Sequence, residues 1–403
     1  MSLRHAARDL HEDLVRLRHS LHREPEVGLD LPRTRDKVLA ALEGLPLEVS
    51  TGTRATSVTA VLRGARPGPT VLLRGDMDGL PVGERGGAAY ASRVPGRMHA
   101  CGHDMHTAML AGAAHLLSAV RDGLAGSVVF AFQPGEEGHH GARVMLEEGL
   151  LDASGERPVA AYGLHVMSAG LPTGVFLSRG GTMMASGDTL RVTVRGAGGH
   201  GSAPHRAQDP VPAACEMVVA LQTMVTRTFD VFDPVVLSVC RLRAGEADNV
   251  IPDTASFTAT VRCFSATARA AVREHAYRLL RGVADAHGLG VDVEFEAVFP
   301  VTVNDGGETG FAADTVREAF GEERFAEAAQ PFSGSEDFAY MLREIPGAFV
   351  ALGACPADRD PARAPFNHSP EAVFDDVVLS DGAGLYAELA ARRLARAAAD
   401  AAG

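Results

Sequence analysis

Nothing in the sequence supplies a basic surface. Lys and Arg number 38 against 51 Asp and Glu, a formal net charge of −13. Nucleic-acid binding calls for a basic patch or stripe, so no nucleic-acid partner is expected. Acidity of this size favours solubility and says little about fold. No stretch approaches 18 consecutive apolar residues, so neither a spanning helix nor a membrane partner is expected. Met1 to Asp13 is charged and carries no apolar h-region, so no signal peptide is read there. Cysteine is sparse: Cys101, Cys215, Cys240, Cys263 and Cys355 are odd in number, widely spaced and form no Cys-x-x-Cys. A disulfide framework is not expected, and a reducing cytoplasm is the compartment that fits. There are no internal repeats either.

What is present is ordinary for a globular protein, with 46% apolar and 22% charged residues. A chain of 403 residues buries a large core without disulfides and exceeds one ordinary domain, so two are expected. Residues 5–23 read as an amphipathic helix, with Leu10, Leu14, Leu17 and Leu21 three or four apart. Short β-rich runs follow at 58–63 and 70–74, a helical stretch at 104–121, and buried-strand runs at 127–132 and 160–164. Strands alternating with helices predict an α/β domain built on a mostly parallel sheet with helices on both faces. Near residue 186 the pattern changes to strand 188–195, helix 210–228, strands 235–243 and 254–263, helix 266–287 and strand 291–298. That β-α-β-β-α-β order is ferredoxin-like. The expected organisation is a larger domain of residues 1–185 and 300–403, interrupted by an inserted α+β domain of residues 186–299. After the insertion a helix is expected at 309–320, a strand at 348–352 and a helix at 380–399. The alanine-rich tail from Ala397 to Gly403 is expected to fray.

Chemistry concentrates in a few segments. His99-Ala100-Cys101-Gly102-His103-Asp104-Met105-His106 packs one thiol, three imidazoles and a carboxylate together. Cys101 and His103 are two apart, and in an extended backbone such residues face one side, so both could bind one metal cluster. Thiolate with imidazole suits zinc, and imidazole also suits other divalent metals. The plain alternative is a histidine-rich polar loop before a helix. His99 and His106 read as residues behind the ligands or on the helix surface. Glu136-Glu137 stands just past a buried strand, where ligands of open α/β sheets collect. Adjacent carboxylates there are costly without positive charge beside them, which a metal would supply. One would then be a ligand and the other a general base toward metal-activated water; an exposed acidic turn is the alternative.

Asp76 and Asp78, in Arg74-Gly75-Asp76-Met77-Asp78, sit at another strand end, where a carboxylate commonly orients a ligating histidine. A turn rich in Asp and Gly is the commoner explanation of such a segment alone. His165 ends a strand and His368 sits in Phe366-Asn367-His368-Ser369-Pro370; a lone histidine is more often structural than a ligand. In the inserted domain the glycines from Gly196 to Gly201 allow close backbone approach. His200 could donate to a developing oxyanion or belong to a flexible hairpin. Asn249 and Arg262 are candidate contacts to a substrate carboxylate, which an Arg fork fits, although most lone arginines are surface residues.

Taken together these segments resemble the peptidase family 20 amidohydrolases, most closely the branch of hippurate hydrolases, N-acyl-amino-acid amidohydrolases and plant indole-acetyl-amino-acid hydrolases. The matching motifs, in order, are Leu17 to Glu26, Arg74 to Pro81, His99 to His106, Phe132 to Glu137, His165, Gly198 to His205, Asn249 to Pro252, Gly334 to Phe338, and His368. They run over nearly the whole chain, and the ordered set is specific although each motif alone is weak or moderate. The resemblance implies a two-metal site in the larger domain and a satellite domain that dimerises and acts as a lid. It implies Cys101, His103, Glu137, His165 and His368 as ligands of two divalent ions (manganese, zinc or cobalt), with Glu136 as general base. It implies His200 as a histidine that reaches into the partner subunit's site, and Asn249 and Arg262 as satellite-domain contacts to substrate.

The wider family's dipeptidases and succinyl-diaminopimelate hydrolases open their site with His-x-Asp. Here the segment Arg74 to Asp78 holds no histidine, and Cys101 and His103 take over that duty, as in the hippurate-hydrolase branch. Whether Asp76 or Asp78 does the orienting stays open, with Asp78 favoured. The departure weighs against carboxypeptidase-like or dipeptidase activity. The implied reaction is hydrolysis of N-acyl or N-aroyl amino acids to a carboxylic acid and a free amino acid, by a homodimer. A metallo-dipeptidase or N-carbamoyl-amino-acid hydrolase is the runner-up. A catalytically silent, metal-stabilised dimeric binding protein is the alternative of another class, against which the intact Glu136-Glu137 pair argues.

Overall fold

Val71, Leu72 and Leu73, and the run from Val128 to Phe132, are buried at every position. A strand apolar on both sides belongs in the middle of a sheet covered on both faces, and that is where these two lie. The structure, a computed structural model, describes residues 3–400. The chain divides into two compact units. The first takes in residues up to 183, 303–330 and 340 onward; the second takes in 184–302 with 331–339.

The first unit is built on an eight-stranded mixed sheet. Its order is β1 (Leu47–Thr51), β2 (Val58–Arg63), β4 (Ala125–Gln133), β3 (Arg66–Asp76), β5 (Ala160–Met167), Gly347–Gly353, β6 (Phe176–Ser178) and Phe325–Glu327. The central strands β4, β3, β5 and Gly347–Gly353 are parallel, whereas β1 and β2 add an antiparallel edge. The α/β class follows from this sheet. The helix expected at 5–23 is in fact two, α1 (Leu3–Asp9) and α2 (His11–His22), with a break at Leu10. The leucine spacing runs on, but α1 packs chiefly on the C-terminal helix Leu379–Asp400 and α2 chiefly on α4 (His103–Ala119). α4 is itself buried along nearly its whole length. Gly112 admits that packing, since a Cβ there would meet Leu14 at 2.8 Å and Ala383 at 2.9 Å. Tyr386 on the C-terminal helix donates to Arg74 O at 2.6 Å and accepts from Leu164 N at 2.9 Å, tying β3 to β5. That helix runs to Asp400, past the expected start of fraying at Ala397; residues 401–403 lie outside the described residues.

The second unit is a four-stranded antiparallel sheet in the order Val235–Ala244, Thr254–Cys263, Gly187–Arg195 and Gly290–Phe299. Helices Pro210–Thr228 and Ala266–Ala286 bury Met217, Leu221, Val272 and Leu280 against Leu190, Val192 and Phe257. The strand order is that of the ferredoxin-like pattern. The sequence pattern assigns 300–403 wholly to the larger domain, yet 331–339 clusters with this unit. The cause is local bonding with no periodic signal: Ala185 N donates to Phe332 O at 3.0 Å, and Arg262 Nη1 to Ser335 Oγ at 3.0 Å. Among the described residues no helix is long and apolar enough to cross a membrane.

Candidate metal centre

Because β3, β4 and β5 run parallel, their carboxyl ends share one edge of the sheet, where open α/β sheets place their ligands. Asp76 closes β3, Glu136 and Glu137 follow β4, and His165 lies near the end of β5. Cys101 and His103 reach the same place through a turn. Gly102 between them is left-handed, with φ of 83°, and a Cβ there would lie 2.4 Å from Val166 Cγ2. The two donors therefore converge through a glycine turn at the start of α4, and not through the extended backbone that their spacing suggests. His368 also has a left-handed backbone, with φ of 73°. Such a conformation costs a non-glycine residue roughly 1–3 kcal/mol and collects at functional sites. The His368 amide is held by Ala100 O at 2.8 Å.

Cys101 Sγ lies 3.3 Å from His165 Nε2 and 3.2 Å from His368 Nε2. It belongs to two donor trios, Cys101 with His103 and His165, and Cys101 with Glu137 and His368, each with its atoms within 4.8 Å of one another. Glu137 Oε1 is 3.0 Å from His368 Nε2 and 4.0 Å from His103 Nε2. Partners behind the donors fix their tautomers. His165 Nδ1 donates to Val166 O at 2.9 Å, and His103 Nδ1 faces Asp78 Oδ1 at 3.3 Å. Asp78 also accepts the amides of Glu136 at 3.0 Å and Glu137 at 3.1 Å. A third trio, Asp76 with His103 and His106, meets the same distance test, but its atoms are committed elsewhere. Asp76 Oδ2 accepts from Arg74 Nη1 at 2.8 Å and Oδ1 bonds His106 Nδ1, while His106 Nε2 accepts the Val166 amide at 2.8 Å.

The converging donors draw positive charge. The Cys101 thiol and the Glu137 carboxylate hold the His368 imidazolium up to about 10. Burial pushes His103 down, but Asp76 and Cys101 outweigh it and hold that ring well above the usual histidine value. Burial likewise pushes Glu137 up, and His368 and His103 bring it below the usual range. His165 stays neutral, since burial and the neighbouring His106 depress it. His103 Nε2 is buried and takes part in no hydrogen bond among the described residues, and Glu137 Oε1 is buried against the His368 imidazole. One thiolate, three imidazole nitrogens and one carboxylate are the donor types of divalent zinc, cobalt or manganese. The donor types fit divalent ions, and Cys101 is common to the two trios that could hold them.

Glu136 is buried, and a carboxylate oxygen of it falls within 4.8 Å of the donor atoms of His103 and Glu137. His99 and His106 are fully buried and not on the helix surface. Burial drives His99 down to about 3, and its ring makes no hydrogen bond among the described residues. The remaining expected residues lie in the second unit. His200 pairs with Val250 in a short antiparallel two-stranded ribbon of Gly199–His200 and Val250–Ile251, and Asn249 O accepts the Gly201 amide at 2.8 Å, so His200 and Asn249 are neighbours there. Arg262 Nη1 donates to Ser186 O at 3.4 Å and to Ser335 Oγ at 3.0 Å. The sequence offered Asp76 only as the less favoured alternative to Asp78 for orienting a ligand histidine, put His106 behind the ligands or on the helix surface, and gave Arg74 no role. The available signal was the three-residue spacing of His103 and His106, which puts both on one helix face.

Residues 72–392 match the family model Peptidase family M20/M25/M40. The chain belongs to this family. As an M20 protein it is a metal-dependent hydrolase. It is 34% identical to thermostable carboxypeptidase 2 of Saccharolobus solfataricus, over 96% of this chain and 97% of that protein. It is 35% identical to hippurate hydrolase of Campylobacter jejuni, over 96% and 98% of the two chains. The solved structure of the Bacillus subtilis protein YXEP, described as a dinuclear metal-binding peptidase of the M20 family, matches with a TM-score of 0.82 at 33% identity. That match covers 96% of this chain and 99% of the other.

Proposed function

We propose that this M20 enzyme hydrolyses the amide bond of N-acyl or N-aroyl amino acids, releasing a carboxylic acid and a free amino acid. The observation that carries the reading is the meeting of two donor trios at Cys101, with the Glu136 carboxylate beside His103 and Glu137. Cys101, His103, Glu137, His165 and His368 would hold two divalent ions, with manganese, zinc and cobalt as candidates. When bound, such ions bring the pKa of water toward about 7 and polarise the scissile carbonyl. Glu136 takes a proton from the attacking water, whose oxygen bonds to the acyl carbon. As the C–N bond breaks, Glu136 passes that proton to the amine nitrogen. Asp78 holds His103 in the tautomer with hydrogen on Nδ1 and grips the amides of both glutamates, which sets base against ligand.

In the second unit, Arg262 and Asn249 receive the substrate's carboxylate. Arg262 uses only Nη1 toward the described residues, which leaves Nε and Nη2 for a carboxylate fork. His200 donates to the oxyanion of the tetrahedral intermediate, acting in the partner's site of a homodimer. A second reading draws support from the relative named as a carboxypeptidase: release of a residue from a peptide. A panel of hippurate, N-acetyl and N-carbamoyl amino acids, dipeptides and longer peptides, each with added manganese, zinc or cobalt, separates the readings. The highest kcat/KM is expected on N-acyl or N-aroyl amino acids. Faster turnover of peptides or N-carbamoyl compounds overturns that substrate class, and no turnover by ion-loaded protein overturns the enzyme reading altogether.

A further inference from the structure

His106 stands outside the donor set, yet it is fully buried beside it. Its hydrogen bonds fix its protonation. The Val166 amide donates to Nε2 at 2.8 Å, so Nε2 carries a lone pair. Nδ1 then bears the hydrogen and donates to Asp76 Oδ1 at 2.5 Å. Asp76 is held in turn by Arg74 Nη1 at 2.8 Å, and its carbonyl accepts from Thr107 Oγ1 at 2.9 Å. The ring occupies a place where a strand would otherwise be. β3 pairs with β5 only as far as Arg74 opposite Gly163, and past that point the imidazole takes the β5 amide that the ladder no longer serves.

Val166 follows His165, and its two backbone groups work in opposite directions. The amide goes to His106, while the carbonyl accepts from His165 Nδ1 and from Asn367 Nδ2, each at 2.9 Å. His165 is left with Nε2 as its lone pair, turned toward Cys101 Sγ at 3.3 Å. We propose that Arg74, Asp76 and His106 form a positioning relay that acts through the Val166 backbone. It sets the ring orientation and tautomer of His165, and with them the affinity of one of the two ion sites. The relay rests on the assignment of His165 as a ligand made above. Asp76 and His106 are positioning residues in it and not ligands, because each of their facing atoms already has a partner.

The test is a stepwise Co2+ titration of the full-length, metal-stripped protein, read by thiolate-to-cobalt absorption and a competing chelator, with thermal melts alongside. His106→Phe keeps the ring and removes both bonds. Partners of this kind are worth about 10–100-fold in metal affinity, so one binding step is expected to weaken by about that factor while the other stays within roughly threefold. His106→Gln, which can still accept from the Val166 amide, is expected to recover more of the lost affinity than His106→Asn. His165→Ala should abolish the same step. If His165→Ala leaves both steps intact, the ligand assignment falls. If it removes a step that His106→Phe does not weaken, the relay falls and the ligand assignment stands. An equal loss at both steps that follows the melting temperature also overturns the relay. Should His106→Phe fail to fold, His106→Gln and Asp76→Asn decide: unchanged affinity and spectrum in both overturns it.

Discussion

At position 136 one atom separates an acceptor of protons from an amide. Glu136→Gln keeps the shape and the backbone bond to Asp78 but removes the base. Ion content is expected to hold while kcat falls by about 10²–10⁴; activity within tenfold of the parent refutes Glu136 as base. Cys101 is common to both trios, so Cys101→Ala is expected to lower ion content at both positions, and unchanged content by elemental analysis removes it from the ligand set. The sequence disclosed these residues unevenly for a physical reason. Cys101 with His103 and Glu136 with Glu137 crowd reactive groups into a few positions, which core packing does not ask for. His165 and His368 each stand alone, and local sequence cannot tell a ligand from a buried structural histidine; only the resemblance nominated them. The left-handed backbone at Gly102 and His368 was not legible either, because it follows from what the turn must reach.

Helix α2 brings Arg18 and His22 to the first turn of α4, where Asp104 lies. Arg18 Nε and His22 Nδ1 both meet Asp104 Oδ2 at 2.8 Å, and Arg18 Nη1 also bonds Asp376 at 2.7 Å and the Tyr90 hydroxyl at 2.8 Å. Burial pushes His22 down, but Asp104 overrides it and carries the imidazolium up to about 9. Burial pushes Asp104 up, while Arg18 and His22 hold it well below the usual carboxylate range. A raised histidine stabilises fully below its ordinary value of about 6.5 and loses that contribution as pH climbs through about 9. A depressed carboxylate stabilises above about 4 and loses it as pH falls further. The network is therefore strongest between about pH 4 and 6.5, with the His22 part on the order of 3 kcal/mol. The loss of Tm caused by His22→Phe is expected to be larger at pH 6 than at pH 9.5; equal losses show that the imidazolium is not the stabilising species. Among the elements, those with a long apolar period were legible from sequence, such as Pro210–Thr228 and Ala266–Ala286. Strand β1 was not, because four of its five residues are exposed and no alternation marks it. Helix α3 (Pro32–Leu42) was missed although proline at its first position is a start signal.

For the whole molecule, the proposed homodimer would draw on the second unit's sheet. Val235–Ala244 is its edge strand, with Val236 46% and Leu242 51% exposed, and Val231 80% and Phe232 93% exposed just before it. An open apolar edge invites a second chain, and the proposed homodimer is placed here. The double variant Phe232→Glu, Val236→Lys is expected to sediment as a monomer while keeping its ion content. A dimer that persists puts the interface elsewhere. The change of periodicity near residue 186 lies close to residue 184, where the second unit begins. The return of 331–339 to the second unit was not legible, because a few backbone and side-chain bonds hold it and no repeating pattern does. The C-terminal helix gives the molecule an order in time. A ribosome delivers the whole apolar core of the second unit, Leu190 to Phe295, well before His368 and Tyr386 leave the exit tunnel. Until they do, the Cys101 and Glu137 trio lacks its third donor, and β3 and β5 lack the hydroxyl that joins them. A chain stopped before residue 368 would carry the second unit's apolar core but an incomplete Cys101 and Glu137 trio, so the proposed ion site would close only after that core is made.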